Sequence, residues 1–260
     1  MKITVLGSGT SSGIPTIGCS CEVCLSTDPR DKRLRPSVLI QYEGRNIVID
    51  TTPDFRAQVL RANVRILDAV VYTHAHADHI LGLDDVRPFN FFQKSTIPLH
   101  ATEETFAIIK RIFAYAFSEE ESLSSRPRLD LHTLDGTPFE LFGREWIPIR
   151  LEHGRGTVYG FRIGRAAYLT DHSGIPDASK DLLRDLDVLF LDALRRRPHP
   201  THTTLDQAVQ LVSEIQPRRA FLTHMSHDIG HAQTEAELPP HIRLSYDGLE
   251  IEVDDIEVAE

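Results

Sequence analysis

Short runs of apolar and β-branched residues, separated by turn-rich segments, recur along the whole 260-residue chain. In the first half they predict strands at residues 2–6, 37–42, 46–50 and 69–73. In the second half they predict strands at 140–146, 147–151, 160–163, 167–170, 188–191 and 219–223. Apolar residues at helical spacing predict helices at 53–63, 103–115 and 205–215. Strands that precede helices in both halves, without a repeat of solenoid length, favour a two-sheet α/β core flanked by helices.

Composition narrows the class of protein. With 41% hydrophobic and 25% charged residues the chain is typical of a globular protein, and its length favours one domain over residues 1–260. The first apolar run breaks at Gly7, and no stretch reaches the roughly 18–20 apolar residues that a bilayer requires, so we expect neither a secretion signal nor a membrane span. A net charge of −10 disfavours a surface that coats nucleic acid. Residues 118–128 are expected to form an exposed insertion.

Three cysteines lie within six positions, at Cys19, Cys21 and Cys24. Three thiols cannot all pair with one another, which favours a reducing, cytoplasmic environment. One further ligand would complete a closed Cys3His zinc site, and His227 is the candidate, with His231 and Asp228 as substitutes. The alternative is that all three are free thiols.

The segment His74-Ala75-His76-Ala77-Asp78-His79 follows an apolar strand and offers three imidazoles and one carboxylate. Imidazole suits zinc, iron or manganese, and carboxylate adds hard oxygen character. A single tetrahedral ion would not take so many ligands from one loop, so two metals are indicated. The alternative is a solvated polar loop.

This HxHxDH segment resembles the metallo-β-lactamase superfamily, whose further pattern continues in order along the chain at Asp50, His153, Asp171 and His224. The resemblance implies an αββα four-layer sandwich with two mixed β-sheets flanked by helices. It also implies a ligand set, in which one metal is bound by His74, His76 and His153, the other by Asp78, His79 and His224, with Asp171 bridging both. Asp50 would orient the loop from behind, unless it only caps the following helix.

The run 6–15, LGSGTSSGIP, resembles the phosphodiesterase and tRNA-processing branches of that superfamily. Together with CxCxxC at 19–24 and THMSH at 223–227, it resembles the PhnP-type phosphodiesterases, which act on cyclic phosphodiesters such as phosphoribosyl 1,2-cyclic phosphate in phosphonate breakdown. The rival is a tRNA 3′-processing nuclease of the ribonuclease Z type, which shares the metal set and a His-x-Thr element, here at 202–204. No long basic insertion that would grip tRNA is visible, which favours a small substrate.

The expected activity is therefore hydrolysis of small phosphodiesters, 2′,3′-cyclic nucleotides included. Two divalent ions, zinc or manganese, would deliver hydroxide at neutral pH, and one structural zinc would occupy the cysteine loop. His202 is expected to protonate the leaving oxygen, with Asp50 and Asp78 completing the catalytic set. A small phosphodiester is the expected partner, without nucleic acid or membrane, and a homodimer stays open. Whether the arginines at 195–197 contact substrate is also open.

Overall fold

The computed structural model describes residues 1–118 and 125–254, and every structural statement below concerns these residues. Most of the predicted exposed insertion at 118–128 lies outside the described residues, because 119–124 are not among them. No helix within the described ranges is long and apolar enough to cross a membrane.

Seven strands form the first sheet, in the spatial order β14-β1-β2-β3-β4-β5-β6. Their bounds are β1 (Lys2–Gly7), β2 (Ser37–Tyr42), β3 (Arg45–Ile49), β4 (Ala69–Val71), β5 (Ile97–Thr102), β6 (Leu129–Leu134) and β14 (Glu250–Glu252). From β3 to β6 the strands run parallel to one another, whereas β14, β1, β2 and β3 pair antiparallel.

A second sheet has the order β13-β12-β11-β10-β9-β8-β7. Its strands are β7 (Phe139–Leu141), β8 (Arg144–His153), β9 (Gly156–Ile163), β10 (Ala166–Leu169), β11 (Val188–Asp192), β12 (Arg219–Thr223) and β13 (Ile242–Leu244). Strands β10 to β13 are parallel to one another, and β7 to β10 are antiparallel. Because the carboxyl ends of parallel strands meet at one edge, each sheet offers one edge at which polar strand ends gather.

The α-helices are α1 (Glu22–Leu25), α2 (Phe55–Arg61), α3 (Ala77–Ile80), α4 (Arg87–Gln93), α5 (Glu103–Ile112), α6 (Asp177–Asp181), α7 (Leu205–Ile215) and α8 (His231–Glu237), with short 3-10 turns at Pro29–Asp31, Leu83–Val86 and Ala114–Ala116. Helix α7 begins with a capping box, in which the Thr204 hydroxyl accepts from the Gln207 amide and the Gln207 side chain accepts from the Thr204 amide. This cap explains why the predicted helix at 205–215 begins at Leu205.

Three buried apolar clusters hold the layers together. One lies between the sheets, with Ile40 and Phe190 among its members. A second joins the outer face of the second sheet to α7 through Val212, and a third joins the outer face of the first sheet to α2 and α5 through Phe55 and Phe106. The predicted four-layer αββα sandwich is therefore confirmed.

Some predicted boundaries are wrong. The residues expected to form two strands, at 140–146 and 147–151, instead form a hairpin of β7 and the long β8, because the turn falls at Phe142 and Gly143, both with positive φ. Strands β5, β6, β13 and β14 were not predicted. Helix α2 begins at Phe55 rather than at Pro53, which lies in the preceding turn.

A buried polar contact crosses between the sheets. The Trp146 indole donates to the Tyr42 hydroxyl at 3.0 Å, and that hydroxyl donates to the carbonyl of Leu141 at 2.6 Å. Both aromatic side chains are buried, so the Trp146 N–H depends on the Tyr42 hydroxyl for its hydrogen bond.

We expect Tyr42→Phe to leave the Trp146 N–H buried without an acceptor. The expected loss is about 1–3 kcal/mol of unfolding free energy, which lowers Tm by roughly 2–4 °C for each kcal/mol in a chain of this size. Thermal unfolding followed by circular dichroism measures it. Tyr115→Phe is the control, because the Tyr115 ring is exposed and its hydroxyl bonds to Asp84 at the surface. An equal shift in both variants would contradict the prediction.

Candidate metal centre

The strand-end edges of the two sheets bring the predicted ligands together. Asp50 follows β3, Asp171 lies two residues beyond β10, and His224 follows β12. All three have positive φ, at 65°, 54° and 59°, a conformation that non-glycine residues adopt rarely and that is concentrated at functional sites. The left-handed turn ends each strand and starts the loop that carries the ligand.

Two groups of potential ligands share the Asp171 carboxylate. Within each group the ligand atoms lie within 4.8 Å of one another. The first consists of His74, His76, His153 and Asp171, and the second of Asp78, His79, Asp171 and His224. The structure therefore brings together all seven residues that the resemblance implied, with Asp171 in the shared position.

Asp171 faces imidazoles from both groups. One of its oxygens lies 2.9 Å from His224 Nε2 and 3.3 Å from His79 Nε2, and the other lies 3.7 Å from His74 Nε2. Asp78 approaches His79 Nε2 at 3.3 Å and His224 Nε2 at 3.8 Å. The donors thus converge from three separate loops.

Asp50 lies behind the HxHxDH loop and is fully buried. It accepts hydrogen bonds from the Thr73 amide at 2.9 Å and the Thr73 hydroxyl at 2.8 Å, and it lies 2.7 Å from His79 Nδ1. It therefore fixes the ring that carries a ligand atom on its other nitrogen. The helix that follows has Asp54 at its N-cap, so Asp50 is not a capping residue.

Several polar atoms of these groups are buried without a hydrogen-bond partner among the described residues. They include His74 Nε2, Asp78 Oδ2, His79 Nε2 and His224 Nε2. Buried polar groups left in this way are costly unless something else satisfies them. Neutral imidazole nitrogens and carboxylate oxygens aimed at shared points are the ligands that zinc and manganese take in proteins, so the residues fit divalent cations.

Attraction between the carboxylates and imidazoles dominates the electrostatics of the site. Burial opposes protonation of His224, but Asp171, Asp78 and Asp192 together outweigh it and raise the pKa of His224 to about 10. His79 is also buried, and Asp171, Asp78 and Asp50 together raise its pKa well above the ordinary value. Against the effect of burial, His224 and His79 in turn hold the pKa of Asp171 well below its usual range. Both imidazoles must lose a proton before a cation can take its place, so cation binding releases protons.

The cysteine loop forms a separate cluster. His227 Nδ1 lies 3.1 Å from the sulfur of Cys19, 3.7 Å from that of Cys21 and 3.5 Å from that of Cys24. Ligands bound tetrahedrally to zinc at about 2.0–2.3 Å lie at such separations. His227 thus faces the cysteines, whereas His231 is buried and lies 3.0 Å from Glu235.

Comparison with known proteins places this arrangement in a family. A family model described as a beta-lactamase superfamily domain matches residues 45–225. A crystal structure titled a new diphosphatase from the PhnP family is 50% identical to this chain, with a TM-score of 0.92 over 97% of this chain and 98% of the other. The chain belongs to the PhnP family. Within the metallo-β-lactamase superfamily, the predicted PhnP-type resemblance is therefore confirmed.

Two curated relatives of this PhnP-family chain carry other names. A protein of Porphyromonas gingivalis named octanoyltransferase is 39% identical over 98% of this chain, which spans only 52% of that relative. Its name therefore describes a protein about twice as long. A ribonuclease Z of Gemmatimonas aurantiaca is 26% identical over 97% of this chain and 96% of its own length.

His202 lies directly beside the second ligand group. Its ring stacks on that of His224, with centroids 4.8 Å apart and planes 13° apart, and it meets the ring of His153 edge-on at 5.0 Å. The side chain is 11% exposed. The structure thus places the His202 ring against one histidine from each ligand group.

Sequence reasoning missed Asp192, the last residue of β11. It is fully buried, and its two oxygens lie 3.4 Å from His224 Nδ1 and 3.4 Å from His202 Nδ1, close enough for ion pairs although not aligned as hydrogen bonds. It also accepts from the Thr203 amide at 3.1 Å. The available signal was an aspartate at the end of an apolar strand, the same pattern that marks Asp50.

The arginines at 195–197 are held at the surface by neighbours. Arg196 pairs with Glu237 and Arg197 with Asp228, and Arg195 donates to the carbonyls of Arg197 and Pro198. Each of the three guanidinium groups is thus engaged by a neighbouring carboxylate or carbonyl.

We expect Cys21→Ser to remove about one zinc ion per chain and to lower Tm, because a closed zinc site contributes folding free energy directly. Metal analysis and thermal unfolding of the purified protein measure both quantities. The exposed neighbour Ser20 supplies a control in Ser20→Ala, which should change neither. Unchanged zinc content and stability in Cys21→Ser would rule out a structural zinc site here.

Proposed function

We propose that this PhnP-family protein is a metal-dependent phosphodiesterase that hydrolyses small phosphodiesters, cyclic ones above all. The observation that carries the proposal is the pair of ligand groups sharing Asp171, with the His202 ring stacked against His224. Such an arrangement combines cation binding with a separate proton donor. Both are needed to expel an alkoxide from phosphorus.

Divalent ions held by the two groups would supply an activated water and neutralise negative charge on the phosphoryl oxygens. The chain's own contribution is to fix the ligands. Asp50 holds His79, Asp192 holds His224, and Asp171 is shared between the groups. Asp50 and Asp192 each face an imidazole at Nδ1, the nitrogen that is not aimed at the cation.

His202 supplies the proton that the leaving oxygen needs. In the hydrolysis, a bond forms between the water oxygen and phosphorus, the phosphorus–oxygen ester bond breaks, and the proton passes from His202 to the departing alkoxide. Asp192 lies 3.4 Å from Nδ1, so Nε2 is the nitrogen left for the substrate.

A second candidate activity is hydrolysis of a diphosphate linkage. It is favoured by the 50% identity to the PhnP-family structure titled a diphosphatase. Attack at phosphorus is common to both reactions. The leaving group is a phosphate when a diphosphate is cleaved, and an alkoxide when an alkyl diester is cleaved. Because phosphate departs more readily without a proton, the two candidates differ in how strongly they need His202.

A third candidate is tRNA 3′ processing, favoured by the full-length similarity to ribonuclease Z. The chain has a formal charge of −10, whereas proteins that grip polynucleotides neutralise many phosphates with Lys and Arg. The surface arginines at 195–197 are engaged with neighbouring groups, as described above. A small substrate is therefore the better fit.

We expect the metal-loaded protein to hydrolyse 2′,3′-cyclic nucleotides and phosphoribosyl 1,2-cyclic phosphate with a higher kcat/KM than phosphomonoesters or β-lactams. The assay panel also contains a nucleoside diphosphate sugar and a pre-tRNA at matched salt. Faster turnover of the diphosphate would transfer the assignment to the second candidate, and faster turnover of the RNA to the third.

We expect His202→Ala to keep its metals and its fold. Its rate on diesters with poor alkoxide leaving groups should fall by roughly 10²- to 10⁴-fold, the usual contribution of general acid catalysis. A 4-nitrophenyl diester should lose far less, since 4-nitrophenolate departs without a proton. His132→Ala, an exposed histidine paired with Asp130, is the control. Equal losses on both substrates, or none on either, would remove His202 from the mechanism.

A further inference from the structure

A cavity of about 730 Å³ opens beside the first ligand group. His74, His76 and His153 form one of its walls. His74 is 7% exposed, and its Nε2 atom has no hydrogen-bond partner in the described part of the chain. The cavity is therefore continuous with the metal centre, and its volume lies in the range of small-molecule sites. The cavity is large enough to hold the remaining atoms of a small substrate whose phosphorus sits at the ligand groups.

Outside the histidine wall, part of the cavity lining is apolar. Leu134 and Val158 are buried, Ile108 is half-buried, and the Tyr159 ring adds an aromatic surface. Such a lining favours a flat, partly apolar group, because burying apolar area releases water. A sugar carrying a base has this character, whereas a second phosphate does not.

The rim of the cavity is acidic. Glu103, Glu104 and Asp135 line it, and Arg150 is the one lysine or arginine that does so among the described residues. Arg150 Nη2 lies 3.4 Å from the Thr157 hydroxyl. Three negative side chains and one positive side chain leave this wall with a formal charge of −2.

The first turn of α5 also lies in this wall. A helix N-terminus often binds phosphate through its free amides. Here Thr102 already accepts a hydrogen bond from the Thr105 amide, and Glu103 and Glu104 occupy the turn itself. The element best suited to hold a phosphate is thus capped from within and carries negative charge.

We propose that this cavity favours substrates whose non-reacting part is neutral and of nucleoside size, and that it disfavours substrates with a second phosphate in that part. The inference rests on the proposed phosphodiesterase function. Among cyclic diesters, it favours nucleoside 2′,3′-cyclic phosphates over phosphoribosyl 1,2-cyclic phosphate.

The test compares adenosine 2′,3′-cyclic phosphate with the same molecule carrying a 5′-phosphate, on metal-loaded protein at low ionic strength. The reacting diester is identical, so the ratio of the two kcat/KM values reports only the distal group. We expect the neutral substrate to be favoured roughly tenfold, the scale of repulsion between a phosphate and a wall of charge −2 across about 10 Å of water. Added salt should reduce the ratio, because it screens exposed charges.

Variants that change the charge of the rim test whether its acidic residues cause the preference for the neutral substrate. Glu104→Gln should lower the ratio roughly threefold, since it removes one negative charge, and Glu104→Lys should lower it further, since it also adds a positive charge. Glu140→Gln is the matched control, because Glu140 is exposed on β7 and does not line the cavity. Its ratio should stay at the wild-type value. Thermal unfolding of each variant checks that the fold is intact.

The possible outcomes distinguish a failure of this inference from a failure of the proposed phosphodiesterase function. If bis(4-nitrophenyl) phosphate is cleaved but neither adenosine substrate is, nucleoside-sized groups do not enter and the inference fails alone. If no diester at all is cleaved, the phosphodiesterase assignment fails. Equal rates on the two adenosine substrates, or preference for the phosphorylated one with loss of that preference in Arg150→Gln, would overturn the acidic-rim selection.

Discussion

A buried carboxylate facing buried imidazoles is the interaction on which the rest of this structure depends. Asp171 is 2% exposed and lies 2.9 Å from one imidazole and 3.3 Å from another. An isolated charge at such a depth would be strongly unfavourable, so the anion persists only because opposite charges surround it. Those partners come from both sheets, and the two strand-end edges must therefore meet. The apolar cluster between the sheets supplies the free energy that keeps them together.

Each sheet adds a second carboxylate behind the first. Asp50 from β3 holds His79, and Asp192 from β11 lies between His224 and His202. Both are fully buried and both end an apolar strand. A ring held at one nitrogen loses little freedom when the other nitrogen binds a cation or a substrate, so the site is organised before its ligand arrives.

Much of the ligand arrangement could be predicted from the sequence. Apolar strands followed directly by His or Asp predict polar groups at one edge of the sheets. Seven His and Asp residues follow the order of a known superfamily, and that order predicted the shared cluster. The role of Asp192 was not predicted, because its strand is followed by a basic turn and not by a recognisable motif. The edge strands β13 and β14 escaped because each has three residues, too few to show a period. The acidic rim could not be predicted, since Glu103, Asp135 and Arg150 meet only after the sheets pack.

The cysteine cluster and the metal centre are joined by one short segment. His224 and His227 lie three residues apart, and between them the Met225 amide donates to the Ser8 carbonyl while the Thr10 amide donates to the Met225 carbonyl. The buried Arg33 guanidinium donates to the Ser226 carbonyl from the side of the cysteine loop. The glycine-rich N-terminal run at 6–15 is thereby paired to the residues that follow β12, and this pairing holds it beside the metal centre. A cluster that fixes His227 also limits the motion of the backbone that carries His224. The cysteine cluster therefore helps to position a ligand of the metal centre.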